Sequence, residues 1–255
     1  NTTQITTFAK KVDGGYIVNG QKVWTSTAQV ANKIMLLART KKIEDCDKPT
    51  DGISIFYTDM DRSKIEATRI PKMGRKCVDS NSTFIDGLFV PDEDLIGEEG
   101  KGFSYILHSL NPERVLIAVE AIGIGQDALR RATQYAKERQ VFGRQIGKNQ
   151  SIQHPLAENW MYLESSLNMA MKSAWLYDNG MPCGAEANAA KFLGARAGYD
   201  AALQAVLTLG GMGYAKEYHL ERLLREVTLT RIAPITEQLI NCFIAEKVLG
   251  LPKSY

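Results

Sequence analysis

Residues 109–142 read SLNPERVLIAVEAIGIGQDALRRATQYAKERQVF, and the pattern of the chain changes across them. Upstream, short alternating runs between Gly, Asp and Asn turn signals predict β-strands. Downstream, apolar residues recur at helical spacing: Leu116, Val119, Ile122, Leu129, Ala132 and Tyr135-Ala136 approximate one stripe. The stretch opens on Asn111-Pro112-Glu113-Arg114, an acid beside a base at the joint between the two regimes. One reading is a helix start, with Pro112 at the first helical position and Glu113 favoured in the first turn by the helix dipole. The other is chemistry. On these residues alone the helix-start reading holds.

Working outward to the N-terminal side, residues 5–11 predict a strand, Asp13-Gly14-Gly15 a hairpin turn, and Tyr16-Ile17-Val18 the returning strand. Asn19-Gly20 predicts a second turn. Further strands are expected at 33–40, 52–58, 63–70 and 82–90, the last stopped by Pro91. Short strands without helices suggest a closed or sandwiched β unit. An acidic, Gly-rich connector follows at 92–102.

On the C-terminal side, helices are predicted from near Ser151 to Asp178, over 184–209, over 217–228 and over 236–249. The second of these is rich in Ala and Gly, so it should pack closely; Gly210-Gly211-Met212-Gly213 stops it, and Pro234 breaks the chain later. Long helices with short links mean a bundle. The expected fold is α+β in segregated domains, a β-barrel-like domain over 1–98 and an antiparallel four-helix bundle over 99–255.

Composition narrows the function. A net charge of +2 over 255 residues gives no electrostatic case for nucleic acid or an anionic membrane, and no apolar run suits a membrane span. Cys46, Cys77, Cys183 and Cys242 lie far apart, and His108, His154 and His219 share no ligand spacing, so neither a metal site nor a redox pair is expected. A reducing compartment follows from the same cysteine usage. The chain begins without an initiator Met and runs almost at once into strand-like sequence, which reads as a fragment or processed product.

Three constellations carry possible chemistry. Trp24-Thr25-Ser26 could stack on and hydrogen-bond a planar heterocycle, or be a core Trp entering a loop. Arg139, Phe142 and Gln150, within ERQVFGRQIGKNQ, suit a phosphate-bearing nucleotide or simply a solvated helix end. Gly210-Gly211, within LGGMGY, permits close backbone approach, and Thr236 with Gln238 could bind an anion or cap a helix.

Taken together and in order, NGQKVWTS (19–26), ERQVFGRQIGKNQ (138–150) and LGGMGY (209–214) resemble the acyl-CoA dehydrogenase family of flavoproteins. The resemblance covers residues 1–249 and matches the family's middle β domain and C-terminal helical domain, without its N-terminal helical domain. It implies α,β-desaturation of an acyl-CoA thioester, in fatty-acid or branched-chain metabolism: a glutamate removes the α-proton and the β-hydrogen leaves as hydride to flavin N5. It implies FAD as cofactor, an electron-transferring flavoprotein as acceptor, and a homotetramer built as a dimer of dimers. The setting would be the bacterial cytoplasm or the mitochondrial matrix, and the isolated chain would have little activity.

Residue by residue, the resemblance places Trp24, Thr25 and Ser26 against the isoalloxazine. Arg139, Phe142 and Gln150 match contacts to the ADP half of a neighbouring subunit's FAD; Gly210 and Gly211 match its close approach; Thr236 and Gln238 match contacts near its pyrophosphate. Leu207 stands where the family usually has an amide. Many members carry the base in a Tyr-Glu-Gly-Thr segment, which here is Ala233-Pro234-Ile235-Thr236, so Pro234 holds the glutamate position. A branch that includes isovaleryl-CoA dehydrogenase places the glutamate immediately before a family arginine, which here is Glu113 before Arg114. The resemblance therefore implies Glu113 as base, with Asn111 and Arg114 at the substrate. Proline also lacks the N–H that the family offers to the thioester oxygen, and losing such a donor costs about 3–4 kcal/mol. That loss keeps two alternatives open: a non-catalytic assembly subunit, and an oxidase on the same scaffold.

Overall fold

The computed structural model describes residues 2–254. The chain divides between Ser109 and Leu110 into two compact units.

The first unit is a mixed sheet. Strands β1 (Phe8–Val12), β2 (Gly15–Ser26), β3 (Lys33–Arg39), β4 (Ile53–Asp59), β5 (Ile65–Arg69) and β6 (Ser80–Pro91) lie in the order β4-β3-β1-β2-β6-β5. Neighbours are antiparallel except β1 and β3, which meet in parallel at Phe8 and Arg39. Period-two patterning sets the inner face: along β6, Asn81, Thr83 and Ile85 are buried while Ser82, Phe84 and Asp86 are exposed. Tyr16, Val18, Leu36, Phe56, Ile85 and Val90 fill the core. The Tyr16 and Phe56 rings meet edge-on at 5.0 Å, and the Tyr16 hydroxyl donates to Glu99 Oε2 at 2.9 Å. Buried Arg39 donates to the main-chain oxygens of Thr3, Pro49 and Asp51, which ties down the polar loop after β3.

The Asp13-Gly14 turn forms as expected, but Asn19-Gly20 does not turn the chain. Strand β2 runs through it, and the pairing with β6 shifts register between Val18 and Gly20. Gly20 has φ +149°, and a Cβ there would lie 2.6 Å from Thr7 Cα. The dipeptide that could close a hairpin serves instead as a bulge, because β6 pairs with β2 on both sides of it.

The second unit is helical, and α1 (Gly102–Glu138) crosses the division. It is followed by a hairpin of β7 (Gln140–Val141) and β8 (Arg144–Gln145), then α2 (Gln150–Asp178), α3 (Gly184–Leu209), α4 (Gly211–Tyr214), α5 (Leu220–Thr228) and α6 (Glu237–Phe243). The predicted helix over 217–228 is shorter, because His219 adopts a left-handed φ of +61° before α5. The one predicted over 236–249 is α6 followed by a π-helical turn at Ile244–Val248.

Small residues let α1 and α3 touch. A Cβ on Gly198 would lie 2.2 Å from Ala121 O, one on Gly194 2.9 Å from Ala118 O, and one on Gly125 2.8 Å from Gly198 Cα. Ala121, Ala128, Ala132, Ala197, Ala201 and Ala205 are buried around this seam, with Leu163 of α2 and Leu220 of α5 closing the core. Among the described residues, no helix is long and apolar enough to cross a membrane.

Gly198→Ala should therefore overpack the α1–α3 seam and cost about 1–3 kcal/mol. Urea unfolding of the variant against the parent measures it; an unchanged midpoint would show that the seam yields.

Candidate active site

Trp24 stands at a built irregularity in β2. Its φ is +65°, an uncommon conformation for a bulky residue, and the pairing with β6 shifts between Lys22 and Thr25. The bulge turns the indole outward, and Trp24 is 62% exposed. This is not the core Trp of the plainer sequence reading. Thr25 and Ser26 resume the ladder opposite Asn81 and Ser80. Fully buried Asn81 braces the spot, donating to Thr25 O at 3.1 Å and to Asp79 Oδ2, and accepting from Gln29 Nε2 at 2.7 Å. Thr27, with φ +56°, leads the chain away.

The helix-start reading of Asn111-Pro112-Glu113-Arg114 is overturned. Helix α1 begins at Gly102, so Pro112 lies inside it and Glu113 is far from the first turn. Residues 103–107 (FSYIL) continue the apolar helical run back to the glycine, which moves the start upstream of the proline. A proline within a helix forfeits a backbone hydrogen bond, and an acid here gains nothing from the dipole at the helix start. Glu113 is exposed, and its side chain makes no hydrogen bond or ion pair with any described residue. Arg114 Nη1 donates to Asn111 Oδ1 at 2.8 Å, one turn back on the same face. Burial depresses the Arg114 guanidinium pKa, and adjacent Glu113 works against that.

Arg139, Phe142 and Gln150 surround the β7–β8 hairpin. Val141 pairs with Arg144, leaving Phe142 (φ +52°) and Gly143 (φ +76°) as a two-residue turn. Left-handed φ at both positions is the requirement of a type I′ turn. The turn holds the Phe142 ring 100% exposed. Arg139 is exposed with its amide bonded to Tyr135 O, and Gln150, also exposed, opens α2. Arg144 Nη2 reaches Asn149 Oδ1 at 2.5 Å, fastening the hairpin to the start of α2.

Gly210 caps α3 with φ +59°, and Cβ atoms on Gly210 or Gly211 would meet nothing. The backbone is bare there. Gly213, by contrast, is packed: its Cβ would lie 2.3 Å from Val206 O. Thr236 caps α6, accepting from Leu239 N at 3.4 Å, and Gln238 is exposed on the same turn. The structure thus gathers the Asn111–Arg114 pair on one helix face, and Thr236 with Gln238 on one helical turn.

Sequence reasoning missed a buried charge cluster behind that turn. Glu237 is 6% exposed and accepts from Arg231 Nε (2.7 Å) and Nη2 (3.1 Å) and from Arg196 Nε (3.2 Å) and Nη2 (3.0 Å). Lys191, wholly buried on α3, donates from Nζ to Ile235 O at 2.6 Å. Burial lowers the Lys191 pKa to about 8, against the pull of Glu237 and with the push of Arg231. The visible signal was a lysine set among the Ala and Gly residues of 187–198.

Residues 1–88 match the acyl-CoA dehydrogenase middle domain and residues 100–249 the acyl-CoA dehydrogenase C-terminal domain. The chain belongs to the acyl-CoA dehydrogenase family, an oxidoreductase family. It is 34% identical to acyl-CoA dehydrogenase fadE12 of Mycobacterium bovis, over all of this chain and 66% of that protein. It is 33% identical to mitochondrial isovaleryl-CoA dehydrogenase of Oryza sativa subsp. japonica, over 94% of this chain and 58% of that one. A solved structure described as the FAD complex of PigA superposes with a TM-score of 0.91 at 27% identity, covering 98% of this chain and 64% of that chain. The chain thus spans somewhat less than two thirds of the length of these relatives.

PigA is described in complex with FAD, and this chain offers groups of a matching kind: an exposed indole, an exposed phenyl ring and arginine at a hairpin, and bare glycine backbone where added Cβ atoms would meet nothing. Such groups match flat rings and a pyrophosphate.

Removing the charge of Glu237 should unbalance its two arginines. Glu237→Gln is expected to cost about 3 kcal/mol at neutral pH, read by chemical denaturation. The bonds from Arg231, then those from Arg196, hold the folded Glu237 pKa below 4.5. That stabilisation is complete above the unfolded value and fades as pH falls through the folded one. The variant should therefore lose less stability than the parent in this acid range.

Proposed function

We propose that this protein is a FAD-dependent acyl-CoA dehydrogenase with Glu113 as the base that removes the thioester α-proton. The observation that carries the assignment is the placement of Glu113 in the body of α1, where capping gives it no purpose, together with Pro234 at the alternative position. The kinship with isovaleryl-CoA dehydrogenase supports it. Residues 1–98 would act as the family's middle β domain and 99–255 as its C-terminal helical domain.

In this reading FAD, when bound, accepts the β-hydride. Trp24, Thr25 and Ser26 hold the ring system; Arg139, Phe142, Gln150, Gly210, Gly211, Thr236 and Gln238 hold the nucleotide half, offered to a neighbouring copy in a homotetramer. Asn111 and Arg114, already joined by a hydrogen bond, bind the acyl-CoA and orient it against Glu113. A carboxylate gains basicity in a dry site, and we assign the bound acyl chain the task of covering Glu113. Pro234 cannot donate to the thioester oxygen. The next amide, Ile235 N–H, has no hydrogen-bond partner among the described residues and is our choice for that role. An electron-transferring flavoprotein would reoxidise the enzyme, in the cytoplasm or the mitochondrial matrix.

The absent N–H at Pro234 also favours a second reading, an assembly subunit that lends nucleotide contacts to a partner. FAD stoichiometric with this chain, and turnover by the purified homo-oligomer, would exclude it.

Glu113→Gln in the FAD-loaded protein should slow flavin bleaching by short-chain and branched acyl-CoA by a factor of about 10²–10⁴, with FAD content unchanged. Bleaching at the parent rate would show that another group is the base.

A further inference from the structure

The Lys191–Glu237 cluster takes no proton or hydride step in the proposed reaction, yet among the described residues of the second unit Lys191 and Glu237 are the buried charged side chains. Lys191 comes from α3, Arg196 from the next turn of α3, Arg231 from the turn ahead of Ile232, and Glu237 from the start of α6. All converge on one short segment. Lys191 holds the Ile235 carbonyl, and Arg196 and Arg231 hold the Glu237 carboxylate. Thr236 lies between the two anchored residues and Gln238 just after them. The cluster is braced in turn: the Arg231 guanidinium lies 5.1 Å from the Tyr199 ring and the Arg196 guanidinium 4.2 Å from the Phe192 ring.

A buried ammonium is costly, and its removal from water is repaid only by partners in good geometry. For packing alone, an apolar residue of similar volume would serve on an Ala-lined helix face. What the ammonium adds is direction: a charge-assisted bond that fixes one carbonyl.

We infer that Lys191 is a positioning residue, which by pinning Ile235 O beside the Glu237–arginine cluster presents Thr236 and Gln238 to the nucleotide half of FAD. The inference rests on the FAD contacts proposed above. It extends them to a residue that touches no cofactor. It also makes cofactor affinity sensitive to pH. The charged groups facing Lys191 are Glu237 on α6 and Arg231 in the preceding turn; Glu237 favours the ammonium, Arg231 opposes it, and burial dominates. Lys191 loses its proton near pH 8, and a neutral amine donates a weaker bond.

The test is the FAD dissociation constant of the full-length protein, by flavin fluorescence after removal and return of cofactor, between about pH 7 and 9. For the parent, the constant should rise as pH passes through about 8. Lys191→Met should raise it about tenfold at neutral pH and abolish the pH dependence. Lys191→Arg, permanently charged, should bind within about threefold of the parent with a flat profile. Circular dichroism and melting of each apoprotein separate lost folding from lost positioning, and a folded Arg variant suffices if the Met variant does not fold. Parent-like affinity and pH profile in a folded Lys191 variant would overturn this inference alone. A parent that binds no FAD at any pH would overturn the cofactor reading, and this inference with it.

Discussion

The contact between α1 and α3 is the constraint on which the second unit depends. Where Gly194 and Gly198 face Ala118 and Ala121, no side chain separates the two backbones, and a single methyl would collide with a carbonyl oxygen. Such contact gives little hydrophobic area per residue, but it leaves almost no freedom for one helix to slide on the other. The consequence reaches both ends of the proposed site. Helix α1 carries Asn111, Glu113 and Arg114, and α3 carries Lys191 and Arg196. Fixing the two helices fixes the proposed base and the anchor behind the turn proposed to bind the nucleotide in one stroke.

Two aromatic residues show how backbone strain is used. Trp24 and Phe142 both sit at left-handed φ, where bulky side chains are rare, and both are turned to solvent. Each is held by its surroundings: Trp24 by a bulge braced on Asn81, Phe142 by a two-residue turn locked between paired strands. An apolar ring kept exposed in a strained conformation loses on both counts in the folded monomer. A bound flat ligand, or a second chain, would supply the compensating contact.

Around residues 233–238 the logic is electrostatic. Pro234 removes a donor, and the surrounding charges hold what remains of the segment: Ile235 by its carbonyl, Glu237 by its carboxylate. In a low-dielectric interior each of these bonds is stronger than in water, and each would be expensive to leave unmade. In the proposed reading, Pro234 in this segment and Glu113 on α1 are complementary features of one site.

The sequence alone determined the two-part plan, because periods of two and of 3.6 residues are imprinted by the faces that must be buried. It also determined the family, because NGQKVWTS, ERQVFGRQIGKNQ and LGGMGY are specific strings. Local signals failed where a distant partner chose between two local options. Asn19-Gly20 became a bulge because β6 pairs on both sides of it. Pro112, which reads as a helix start, lies within a helix because the apolar run before it joins α1. Only the tertiary structure decided that Glu113 is no helix cap, that Trp24 faces outward, and that Lys191 and Glu237 belong to one cluster. The last could not be read from the chain: 46 positions separate the two residues, and their partnership exists only after α3 and α6 have packed.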